Sequence, residues 1–201
     1  MRTSLVTLFL WIAFNCFGQV GEQNDPARHP GQLNRWFVDS INNKPVNFYL
    51  NHDEIDKYSK LFYRGQFAAS DDDLTFAFLD SVLTTNTVKR DFYVYVLNSV
   101  LKLADGALAE VVGSYCRSFL EIYPCEFIEL KTNKLYSDNY DVWIYFASEE
   151  YYFDNDPVSS VNSAINSMKV IMEKNCFSEK NELDIIQIQL LARIKELEDE
   201  N

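Results

Sequence analysis

Apolar residues along this chain recur at helical spacing, and only one segment carries a comparable strand signal. Leu33, Trp36, Phe37 and Ile41 fall at i, i+3, i+4 and i+8, the pattern of one buried helix face. Asn42-Asn43-Lys44-Pro45 ends that element. Asn51 with Glu54 three residues on has the form of a capping box, and Ile55, Tyr58 and Phe62 make the stripe that follows. Asp71 to Asp73 place negative charge where a helix dipole favours it, ahead of Leu74, Ala77, Phe78 and Val82. The clearest stripes come next. Phe92, Tyr93, Val96, Leu97, Val100 and Leu101 form one, and Asp105-Gly106 punctuates it. Leu108, Val111, Val112, Tyr115, Cys116, Phe119 and Leu120 form another, ending near Pro124.

A short element over 126–130 and a polar loop over 131–138 are expected after it. Asp138 can cap a helix carrying Trp143, Ile144, Ala147 and Tyr151. Residues 142–146 are also rich in strand-formers, so this segment reads either way. Asp156-Pro157 is a helix start, with an acid at the cap and proline at the first helical position. Val158, Val161, Ala164, Ile165, Met168 and Met172 give that helix its face. Ser178 opens the last one, where Leu183, Ile186, Leu190, Ile194 and Leu197 turn inward and the acidic end frays.

The expectation is an all-α chain of eight or nine helices, packed either as an α-solenoid or as a compact bundle. The helices over 71–130 resemble the paired helices of a HEAT-like array in length and pairing. No residue-level repeat recurs, so the resemblance concerns the fold alone. Six glycines and five prolines in 201 residues disfavour a turn-rich β-sandwich.

The first eighteen residues break from this pattern. Arg2 precedes an apolar run from Leu5 to Phe14, too short to cross a bilayer of about 30 Å. It reads as an export signal cleaved after Gly18. Lipoprotein processing at Cys16 is the minority alternative, because Phe14 and Asn15 are poor neighbours for it. Residues 19–30, with Pro26, His29 and Pro30, read as a flexible arm, and 31–201 as a single helical domain. No other segment approaches the length of a membrane span.

Loss of Arg2 takes the 18 Lys+Arg to 17 against 30 Asp+Glu, a charge of −13. Such acidity repels phosphate backbones, so nucleic acid is not an expected partner. A protein partner, particularly a basic one, suits the charge, with a glycan as the lesser alternative. Removing Cys16 leaves Cys116, Cys125 and Cys176, an odd set. A continuous helix would hold Cys116 and Cys125 about 13 Å apart. Three reduced thiols are expected, with Cys125–Cys176 the pair if a bridge forms.

No catalytic, cofactor or metal motif emerges. Only His29 and His52 exist, and His52 beside Asp53 and Glu54 reads as part of a charged helix start. HExxH, GxSxG, GxGxxG and P-loop patterns are all missing. Asp154 and Asp156 have the opening spacing of a calcium loop without its glycine and distal glutamate. The local oddity is a stretch where Trp143, Tyr145, Glu149, Glu150, Tyr151, Tyr152 and Asp154 crowd together. One helix cannot turn every ring inward, so these residues form a candidate interaction patch, with solvent access expected at Trp143, Tyr151 and Tyr152. The function expected is that of an exported, soluble, non-enzymatic helical binding protein without a cofactor. A carboxylate-dependent hydrolase, using Glu149 or Glu150 with Asp154, and a structural part of an envelope assembly are the alternatives.

Overall fold

A computed structural model describes residues 37–200. The expected leader at 1–18, the arm at 19–30 and the start of the expected first helix lie outside the described residues. Within them the chain is all-α, with nine helices and one two-residue hairpin.

The hairpin pairs β1 (Ser40–Ile41) antiparallel to β2 (Lys44–Pro45). It stands where the first helix was expected to run through Ile41. Asn42 and Asn43 explain the difference. Both take positive φ, 44° and 64°, as the central pair of a tight primed hairpin turn, and asparagine tolerates that region better than other chiral residues. Ile41 is still fully buried, so its hydrophobic role holds while its local structure changes.

Helix α1 (Val46–Leu50) follows directly and ends at Asn51. The expected capping box at Asn51 is therefore a helix end. The next helix, α2 (Lys57–Tyr63), is capped instead by Asp56, whose carboxylate accepts from the backbone N–H of Tyr58 at 2.7 Å and Ser59 at 2.9 Å. Helix α3 (Asp73–Asp80) starts as expected, with Asp72 accepting from Thr75 N–H at 2.7 Å. Its Leu74 and Ala77 are exposed, and Phe78 and Leu79 carry the core contact. Val82 reaches the core from a 3-10 turn at Ser81–Leu83.

Helix α4 (Thr87–Leu101) is buried on every side from Phe92 to Leu101. Its packing against α2, α3, α7 and β1 makes it central to the N-terminal half. Helices α5 (Gly106–Ile122), α7 (Tyr140–Tyr152) and α9 (Glu182–Glu200) lie side by side. Helix α6 (Pro124–Leu130) packs on α5 and α8, and α8 (Pro157–Asn175) packs on α5, α7 and α9. The α5–α7–α9 row has the alternate-helix adjacency of a paired array, and the cross-contacts of α4 with α7 and α5 with α8 compact it. Asp156 caps α8 as expected, accepting from Ser159 N–H at 3.0 Å. The last helix begins at Glu182, after a 3-10 turn at Phe177–Glu179, and not at Ser178.

The ambiguous segment at 140–152 is a helix because its neighbours cover it on several faces. Trp143 lies against Phe119 and Phe127, with ring centroids 5.6 and 6.0 Å away. Helix α5 comes close to α7 at Gly113, where a Cβ would stand 3.0 Å from the Phe146 carbonyl oxygen. At the N-terminus of α7, Asp138 does not serve as cap. The residue before the helix is Asn139, and its amide reaches into the core to donate to Asn98 Oδ1 at 3.0 Å.

A disulfide joins Cys125 to Cys176, with Cα atoms 6.1 Å apart. This corrects the expectation of three reduced thiols. Pro124 starts a new helix and turns Cys125 toward the end of α8, which a continuous helix could not do. Cys116 is the free thiol, fully buried on α5. No described helix is long and apolar enough to cross a membrane.

Candidate functional site, an acidic pocket beside helix 4

The aromatic stretch on α7 does not form one surface. Trp143 and Tyr151 are both 0% exposed, so neither ring offers itself to a partner in this fold. Trp143 belongs to the core. Tyr151 faces α5, where its hydroxyl donates to Glu121 Oε1 at 2.7 Å and the Arg117 guanidinium lies 4.1 Å from its ring centre. Arg117 also donates to the same Glu121 oxygen at 2.9 Å and to Asp154 at 3.0 Å. The hydrogen bond and charge of Arg117 hold the Asp154 carboxyl below its ordinary range. The expected pairing of Glu149 or Glu150 with Asp154 thus meets an Asp154 already committed to an arginine. Tyr145 is on the opposite side of α7, with Arg193 of α9 over its ring at 4.5 Å. Tyr152, Glu149 and Glu150 are half-buried. What crowds together in sequence is divided among the core, the α5–α7 seam and the α7–α9 seam.

The histidine and cysteine candidates also resolve. His52 Nδ1 accepts from the backbone N–H of Glu54 at 3.3 Å, a local turn contact. Glu54 pairs with Lys89. The Cys116 thiol is pushed well up by burial, so it stays protonated and inert.

The converging polar groups lie elsewhere. A pocket of about 190 Å³ opens between the hairpin turn, the first half of α4, helix α6 and the loop after it. Thr87, Asp91 and Val94 enter from α4 at i, i+4 and i+7, one face of the helix. Glu126, Glu129 and Leu130 enter from α6 at i, i+3 and i+4. Asn42 comes from the hairpin, and Asn133 and Tyr136 from the loop. Glu129 is exposed at the mouth, Asp91 is half-buried, and Tyr136 is 2% exposed.

A relay of amides sets the upper wall. Leu135 N–H donates to Asn133 Oδ1 at 3.0 Å, Asn133 donates to Asn42 Oδ1 at 3.3 Å, and Asn42 donates to Asp91 Oδ1 at 2.7 Å. Glu126 is engaged on the other side. Both its oxygens accept from the buried Arg90, the Nε bond at 2.7 Å, and the Arg90 guanidinium lies 3.8 Å from the Tyr123 ring centre. Arg90 also donates to the Thr84 carbonyl, which fixes the fork in place.

Two carboxyls here sit above their ordinary range. Burial raises Asp91 and the charge of Glu126 adds to it, against the opposing pull of Asn42, Lys44 and Arg90. Partial desolvation likewise raises Glu129, although its side chain reaches the surface, helped by Glu179, Glu126 and Asp91. Burial and the Asp91 charge push the Tyr136 phenol far up, so it is a neutral hydroxyl. That hydroxyl has no hydrogen-bond partner among the described residues. A buried, unpaired O–H costs about 1–3 kcal/mol, a penalty that a bound group can remove.

Spacing alone could not reveal this site, because its residues run from 42 to 136. The one local signal is Asp91, the lone acid of a helix whose next six residues, Phe92 to Leu97, carry no charge. Comparison with protein-family models, curated proteins and solved structures finds no match to the chain.

Proposed function

We propose that the chain is an exported, non-enzymatic helical binding protein that engages a basic protein partner through the acidic pocket beside α4. The observation that carries this reading is the Tyr136 hydroxyl, buried without a partner in a pocket that Asp91 and Glu129 make negative. Like charges confined at one place raise each other's proton affinity, and a cation relieves that repulsion while supplying hydrogen bonds. The excess of acid over the whole chain steers positive partners toward it. Export is supported by the Cys125–Cys176 bridge, which is compatible with an oxidising compartment, and by the signal-like first eighteen residues.

The test is titration of the exported chain with small organic cations at low salt, followed by NMR at the pocket residues. Saturable shifts at Tyr136 and Asp91 that fade with added salt are the expected result. Cations that shift only scattered surface acids would overturn the reading. Recovery of the chain from envelope fractions, with its N-terminus at Gln19, tests the export half separately.

A second reading is a carboxylate-dependent hydrolase, favoured by one observation: Asp91 and Glu129 both hold protons above the ordinary range within one pocket. Saturable cation binding without turnover of glycoside or ester substrates separates the two.

A further inference from the structure

We infer that the group this pocket takes is a primary alkylammonium, the chemistry of a lysine side chain or of a free alkylamine. The inference rests on the cation reading of the same pocket and narrows it. Size sets the first limit. A space of about 190 Å³ is below the roughly 300–1,000 Å³ of clefts that hold drug-sized ligands, and suits a small group such as an ammonium with a short methylene stem.

The acceptors set the second limit. A guanidinium is a planar fork and seeks two oxygens of one carboxylate. Glu126 already gives both of its oxygens to Arg90, and Asp91 gives one of its own to Asn42. That leaves acceptors on three different elements: Asp91 on α4, Glu129 on α6 and the Tyr136 hydroxyl on the loop, and the one carboxylate with both oxygens free, Glu129, is the exposed one. An ammonium has three divergent donors and suits three separated acceptors. Val94, Phe119 and Leu130 supply apolar wall against which methylenes can lie. A bare metal ion fits less well. Among the described residues no three His, Cys, Asp or Glu side chains converge as metal ligands do. Tyr136 completes the argument, since its buried hydroxyl has no partner among the described residues and a neutral phenol oxygen can accept one N–H.

The experiment titrates the full exported chain with n-butylamine, methylguanidine and butyltrimethylammonium, reading NMR shifts at Tyr136 and dissociation constants. Butylamine is expected to bind at least tenfold more tightly than the other two. Glu129→Gln and Tyr136→Phe should each weaken it about fivefold or more, with folding checked by unchanged shifts in the α5–α7 core. Tighter binding of methylguanidine or of the quaternary ion would overturn the ammonium assignment and leave the cation reading standing. Absence of binding by all three would overturn both. Two further probes separate the sources. Preference for Nα-acetyl-lysine methylamide, lost on Nε-acetylation, assigns the ammonium to a protein lysine, and preference for 1,4-diaminobutane assigns it to a free amine. Either supports the inference.

Discussion

Trp143 Nε1 donates to Asn98 Oδ1 at 2.9 Å, and this single bond ties the middle of α4 to the first turn of α7 inside the core. The same Asn98 oxygen accepts from Asn139 at 3.0 Å, and the Asn98 amide donates to the Leu135 carbonyl at 3.3 Å. Asn98 is 1% exposed, and its contacts with Trp143 and Asn139 are buried while the one with Leu135 is partly so. Replacing Asn98 strands the buried Trp143 donor and the Leu135 carbonyl, while the Asn139 amide keeps the Asn98 backbone carbonyl at 3.3 Å. Asn98→Leu is expected to cost about 3 kcal/mol, read from the urea midpoint at unchanged slope. Because Leu135 and Asn139 flank Tyr136, the variant should also broaden the Tyr136 resonances.

Gly113 is the second point where α7 is held. A side chain there meets backbone, the Phe146 carbonyl oxygen, and not a flexible tip. Gly113→Val is expected to destabilise by about 2 kcal/mol despite removing a helix-interior glycine. Gly106 offers the contrast. A Cβ there meets nothing within 4 Å, but its φ of +45° suits glycine, so any loss on Gly106→Ala comes from backbone strain. Thermal unfolding of the two variants, with side-chain NMR of Phe146, distinguishes crowding from strain.

The Cys125–Cys176 bridge spans 51 residues. Loop-closure entropy puts its contribution at about 4 kcal/mol. Reduction, or the Cys125→Ser/Cys176→Ser pair, should lower the denaturation midpoint accordingly. Cys116 should stay silent to thiol reagents in the native chain and react only after unfolding. Rapid modification of native Cys116 would contradict its burial.

The pocket acids give stability an inverted pH dependence. The Glu129 carboxyl is raised above its ordinary 4.5 by partial desolvation first, then by Glu179, Glu126 and Asp91. Asp91 is raised above 3.8 by burial first and by Glu126, with Lys44 and Arg90 opposing and the Tyr49 and Tyr136 hydroxyls close by. A carboxyl raised on folding binds protons more readily in the native state. Its contribution therefore improves as pH falls from the raised value toward the ordinary one, and is lost as pH climbs back. Asp154, lowered by Arg117, works in the usual direction, and its contribution disappears as pH falls below 3.8. Glu129→Gln should be at least as stable as the parent at pH 7, with the gap closing near pH 4. Melting temperatures of both proteins across that range check the sign.

The helices were legible because their stripes are long and their stop signals strong. Phe92 to Leu101 and Leu108 to Leu120 needed no tertiary information. The errors arose where one residue type serves two local structures. Asn51 could start a helix or end one, and nothing nearby decides between them. Asn42-Asn43 read as a terminator, when it is the turn of a hairpin whose strands are only two residues each. The patch on α7 failed for a different reason. One helix cannot bury every ring against a single neighbour, but α7 is covered by α4, α5, α8 and α9. The pocket stayed hidden because Asn42, Asp91, Glu129 and Tyr136 are neighbours only after α4 and α6 have packed.

The disulfide has a topological consequence. It closes residues 125–176 into a covalent ring, and α7 lies wholly within that ring. A protease that cuts the loop at Lys131 or Lys134 therefore opens the ring without releasing a fragment. The two pieces travel together until a reductant separates them, and the pocket's loop wall can be nicked while both of its helices stay attached.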